Sequence, residues 1–150
     1  MPTYEAPAIS RAAPESVWET WVDVDGWSEG DHVESASLDG EFRPGTVLRT
    51  KAKGLPRAKL TLTRVERPHL WVNESRSPGV RMTFDHLVEP VEAGTRVTER
   101  MLIEGPLARV VSALMGRRME AVLDSSVAHV AQRAERAEAA APAAPEPPPA

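Results

Sequence analysis

Residues Gly105–Val130 read GPLARVVSALMGRRMEAVLDSSVAHV. Leu107, Val110, Val111, Leu114, Met115, Met119, Val122, Leu123, Ser126, Val127 and Val130 recur at the three- and four-residue spacing of one helix face. Gly105-Pro106 opens the run, and proline suits a first helical turn because its missing N–H leaves nothing unsatisfied there. The spacing predicts one amphipathic helix from about Pro106 to about Ala139. It follows a chain full of strand signals. A long helix after a strand meander has to bury its apolar stripe, and the sheet supplies the surface that covers it.

Seven strands are predicted upstream: Thr3–Ser10, Val33–Leu38, Thr46–Lys53, Ala58–Glu66, Leu70–Ser75, Val80–Val91 and Thr95–Glu104. Turn signals separate the last six, among them Asp39-Gly40, Pro44-Gly45, Arg67-Pro68, Pro78-Gly79 and Ala93-Gly94. Connections this short favour an antiparallel meander. Alternation is clearest in Met82, Phe84, His86 and Val88, and in Val97, Glu99, Met101 and Ile103. Between the first two strands, Pro14-Glu15 opens a short helix whose apolar face holds Val17, Trp18 and Trp21, and Val24-Asp25-Gly26-Trp27 forms a turn or a second short helix. The expected fold class is α+β: a curved antiparallel sheet of about seven strands around a long C-terminal helix, with two short helices after the first strand.

A 150-residue chain is expected to form one domain. We place it at residues 1–138, with 139–150 as a disordered Pro/Ala-rich tail that cannot bury enough surface to order itself. A net charge of -4 argues against a general nucleic-acid binder. Cysteine is absent, which removes disulfides, thiolate nucleophiles and Cys-type metal sites. The N-terminus lacks a basic region followed by an apolar run, and no apolar stretch is long enough to span a bilayer. These features lead to the expectation of a cytoplasmic protein without integral membrane association, monomeric or homodimeric.

Three stretches resemble a known family. APESVWETWVDVDGWSEG (Ala13–Gly30) resembles the family's opening helix, MTFDHLVEP (Met82–Pro90) its penultimate strand, and GTRVTERMLIEGPLARVVSALMGRRM (Gly94–Met119) its last strand and lid helix. The chain is therefore similar to the START/Bet v 1-like (SRPBCC) superfamily of helix-grip proteins, which includes the polyketide cyclase/dehydrase-like proteins. The resemblance runs to about Glu138. It implies a helix-grip fold and a cavity for a sterol, lipid, polyketide or hormone. Only some members are catalytic.

Polar residues on apolar faces are the candidates for chemistry. Arg118 shares the helix stripe with Val111, Leu114, Met115 and Val122, where it would anchor a carboxylate, enolate or phosphate, or pair internally with Glu99. Glu99 lies among Val97, Met101 and Ile103, where burial would raise its pKa and suit it to acid–base work. His86 would transfer protons near neutral pH or be hydrogen-bonded within the wall. Trp27, Trp71 and Phe84 are candidate pocket aromatics, and Met82, Met101, Met115, Met119 and Val122 a soft apolar lining. No HxxxH or HExxH spacing exists, so no metal is expected, and nothing calls for a cofactor. Three functions fit: a binder of a lipid- or polyketide-like molecule, a cyclase or dehydrase using His86 and Glu99, or an interaction domain with a filled cavity.

Overall fold

The computed structural model describes residues 2–141. The expected tail lies almost wholly outside them. Strand β1 (Thr3–Ser10) leads to helix α1 (Pro14–Val22) and a 3₁₀ segment at Val24–Glu29. Six strands follow: β2 (Val33–Leu38), β3 (Val47–Ala52), β4 (Ala58–Glu66), β5 (Leu70–Ser77), β6 (Val80–Val91) and β7 (Gly94–Glu104). Helix α2 (Ala108–Ala140) closes the described chain, two residues beyond the expected domain edge.

All seven strands form one antiparallel sheet in the order β1-β7-β6-β5-β4-β3-β2, a meander closed on one side by β1. Its register aligns inward side chains in rows. Trp71, His86 and Glu99 form one row across β5, β6 and β7, and Asn73, Phe84 and Met101 form the next. A further step along the strands brings Ser75, Met82 and Ile103 together.

Helix α2 packs on β1, β7 and α1. Met119, Leu123, Val127, Val130 and Ala134 are buried along it, and Gly116 lets the helix approach the Tyr4 side chain where an alanine methyl would collide. The far end of α2 is tied down by polar contacts. Glu135 accepts from the Arg11 N–H at 2.7 Å and Glu138 from the Ala13 N–H at 2.9 Å, while the Ser10 hydroxyl donates to the Ala131 carbonyl at 2.9 Å. With α2 seated on the β1–β7 side, the inner faces of β3, β4, β5 and β6 are left to bound a space.

The elbow between β7 and α2 depends on Gly105, whose φ of +109° is open to glycine and strained for other residues. A Cβ there would also strike the Gly79 carbonyl, which accepts from the Leu107 N–H at 2.9 Å. Gly105→Ala is expected to destabilise the chain by about 1–3 kcal/mol. The check is a lower urea midpoint at unchanged slope. An unchanged midpoint would show that the elbow relaxes freely.

Candidate functional site

A cavity of about 520 Å³ lies between the inner sheet face and α2. That volume falls in the range of small-molecule sites. Its lining is mostly apolar, from Leu48 and Leu60 on β3 and β4 to Met82 and Phe84 on β6 and Val111, Met115 and Met119 on α2. Toward the outside it is bounded by Leu55, Pro56 and the exposed Arg57, Lys59 and Arg76.

Its deep wall carries a polar group. Glu99 is only 7 % exposed and His86 4 %. Burial pushes the Glu99 carboxyl up to about 7, partly offset by the Ser126 hydroxyl, which donates to Oε1 at 2.8 Å. Burial depresses His86 to about 3, against the opposing pull of the backbone carbonyls of Trp71 and Phe84. His86 Nδ1 stands 3.2 Å from the Trp71 carbonyl, so the ring proton belongs on Nδ1 and Nε2 is left as an acceptor. His86 Nε2 and Glu99 Oε2 are 3.8 Å apart, beyond hydrogen-bond range. Burial drives both groups toward their neutral forms, so below about pH 7 this is a contact of uncharged groups, not an ion pair.

Aromatic rings hold the histidine. Trp71 stacks on His86 with centroids 3.4 Å apart and planes 4° from parallel. Trp21 of α1 meets His86 edge-on at 5.0 Å, and Trp27 of the 3₁₀ segment stacks on Trp71 at 5.9 Å. A second polar group sits where the 3₁₀ segment, β2 and α2 converge. His32 and His129 rings lie 5.4 Å apart, and His32 is lowered to about 4 by burial first and by His129 second. Arg133 of α2 crosses close to Gly26 and pairs with Asp23 and with Glu29, the latter at 3.3 Å, fastening α2 to the 3₁₀ segment.

Trp27, Met82, Phe84, His86, Glu99, Met115, Met119 and Val122 all line the cavity. Three expected site residues do not. Arg118 is exposed and donates to the Gly54 carbonyl at 3.2 Å, outside the cavity, so it neither anchors a buried ligand nor pairs with Glu99. The reason is helical phase. The buried residues of the C-terminal half of α2, Leu123, Val127, Val130 and Ala134, centre the stripe roughly 150° around the helix from Arg118, close to its opposite face. Leu114, assigned to the same stripe, is 75 % exposed. Met101 is fully buried on β7, part of the core against which α2 packs. Trp71 is fully buried behind the lining, where it supports His86.

Sequence reasoning missed Trp21, His32, Asn73, Ser126, His129 and Arg133 as lining residues. Asn73 alternates with Trp71 and Ser75 on β5, a signal that could have placed it inside. Arg133 and His32 reach the cavity only through tertiary contacts. Among the described residues, no group of three or more His, Asp or Glu side chains could hold a metal, and no helix is long and apolar enough to cross a membrane.

A family model described as polyketide cyclase / dehydrase and lipid transport matches residues 1–135. No curated protein matches the sequence significantly. Among solved structures, TTHA0849 from Thermus thermophilus is similar with a TM-score of 0.74 at 20% identity, covering 91% of this chain and 99% of its own. Ara h 8.0201 superposes with a TM-score of 0.63 at 16% identity, over 86% and 97% of the two chains. The di-domain ARO/CYC protein StfQ of the steffimycin biosynthetic pathway gives 0.68 at 13% identity, over 93% of this chain and 52% of StfQ. At these identities the structural likenesses show the fold alone, a helix-grip architecture.

Proposed function

The chain belongs to the polyketide cyclase/dehydrase and lipid transport family, and from that premise we propose that it binds an apolar small molecule, lipid- or polyketide-like, in the cavity between its sheet and α2. The observation that carries the reading is the cavity of about 520 Å³, apolar along most of its length and polar at its deep wall. A few inward polar groups in an apolar enclosure orient a ligand without requiring chemistry on it. The same volume weighs against an interaction domain with a filled interior.

Native mass spectrometry of gently purified, full-length protein tests this. The expected result is a co-purifying mass that leaves on denaturation, or a mass shift with at least one of a fatty acid, a sterol or an aromatic polyketide. A clean mass with no shift across that panel would overturn the proposal.

The juxtaposition of Glu99 and His86 favours a second reading, proton transfer to a bound polyketide. Two titratable groups with displaced pKa values on one cavity wall are a frequent feature of acid–base sites. StfQ is itself an ARO/CYC protein. In that case Glu99→Gln abolishes turnover and spares binding; for a carrier, no turnover exists to be lost.

A further inference from the structure

Resting on that reading of the cavity, we infer that the buried end of the ligand carries an uncharged hydroxyl group, and that Asn73 on β5 is the residue that recognises it. Asn73 lines the cavity and is only 3 % exposed, yet its side-chain oxygen has no hydrogen-bond partner in the protein. An unpartnered buried amide is costly, and a wall needed only for packing would carry an aliphatic residue at this position. Its row neighbour on β6 is Phe84, and the adjacent row holds His86 and Glu99. One amide therefore interrupts an apolar wall beside the other deep polar groups.

Those groups are uncharged below about pH 7. His86 Nδ1 is engaged with the Trp71 carbonyl, which leaves Nε2 as an acceptor. Glu99 Oε1 already accepts from Ser126, and its second oxygen faces His86. Below about pH 7 the Glu99 proton sits on that second oxygen, so the row beside Asn73 holds one acceptor, His86 Nε2, and one donor, the Glu99 hydroxyl. An amide has an N–H edge as well as its oxygen, so a hydroxyl, both donor and acceptor, fits Asn73 whichever way its amide is turned.

A carboxylate does not fit this end. The lining cations are Arg57, Lys59 and Arg76, all exposed, and Arg133, which is held by Asp23 and Glu29. A buried anion would have no free cation there to offset its desolvation.

The test is a calorimetric titration of the full-length chain at pH 6 with four probes of matched shape: 2-naphthol, naphthalene, 2-naphthoate and 2-naphthylmethylammonium. The naphthol is expected to bind about tenfold or more tighter than naphthalene, the return on pairing a buried polar group, with the naphthoate weakest. Asn73→Leu is expected to bring naphthol down to the affinity of naphthalene while naphthalene binding is held. Naphthoate or the ammonium probe binding as tightly as naphthol would overturn the inference, as would a naphthol preference that survives Asn73→Leu. If Asn73→Leu does not fold, the wild-type ranking decides alone. Naphthalene binding without a hydroxyl preference sinks this inference and leaves the cavity reading standing; no binding by any probe sinks this inference, and with a clean mass across the fatty-acid, sterol and polyketide panel it sinks both.

Discussion

Replacing Glu99 with Gln is expected to stabilise the chain at pH 8 by about 3 kcal/mol and to leave its stability near pH 4 unchanged. The Glu99 carboxyl holds its proton to about pH 7 in the folded chain, because burial disfavours the carboxylate, against an ordinary value of 4.5. Between those values the folded state binds a proton that the unfolded state has released. Stability therefore falls as pH rises through that window, and above 7 the full cost is present. Gln keeps the shape, can still accept from Ser126 and never ionises.

His86 runs the other way. Its ring is neutral in the folded chain down to about pH 3 but charges at 6.5 when unfolded, so stability rises with pH between those values. His32, depressed to about 4, adds to the same rise. Glu99 and His86 oppose each other from 4.5 to 6.5. From these three groups the wild type should be most stable near pH 6.5 and weaken toward pH 8, whereas Glu99→Gln should climb further and then stay level. Urea unfolding from pH 4 to 8.5 measures both curves. A constant offset between them, the same at every pH, would mean that Glu99 does not titrate in this window.

The elements were legible because they depend on local pattern. Alternation in Met82–Val88 and Val97–Ile103, turn glycines between strands and the proline at the start of α1 act over a few residues. Glu99 and His86 could be picked out for the same reason: each stands on a face that its neighbours identify as inward. The failures arise where position depends on distant packing. The exposure of Arg118 is decided by the whole 33-residue helix, whose far half sets the rotation of the near half. Whether an inward residue lines the cavity or sits behind it depends on where α2 lies across the sheet. Because α2 packs on β1 and β7, Met101 is covered and Met82 is not. His32 and His129 meet although 97 positions separate them in the chain, and no spacing rule reports that.

Trp71→Ala is expected to produce the largest loss of stability, about 3–5 kcal/mol, out of a total that for a domain of this kind is about 5–15 kcal/mol. Trp71 is fully buried and is the hub of the aromatic cluster. It stacks on His86, meets Phe42 edge-on at 5.1 Å and Trp21 at 5.9 Å, and carries Trp27 on a stacked face. Alanine would leave a void joined to rings that cannot all collapse into it, which is what makes large-to-small changes severe. Its indole N–H has no partner in the protein, so no hydrogen bond is lost with the ring. This separates packing from polarity. Trp71→Phe keeps a ring against His86 and discards the unpartnered N–H, and it should cost well under half as much as alanine. Equal losses in the two variants would mean that the indole N–H itself contributes. The histidine supplies a second readout. Without the indole over its face, His86 gains access to water, and its pKa should move up from about 3 toward 6.5. Nuclear magnetic resonance titration of the ring would follow that movement. A His86 that stays neutral to low pH in a folded Trp71→Ala chain would show that the rest of the wall, and not Trp71, keeps it dry.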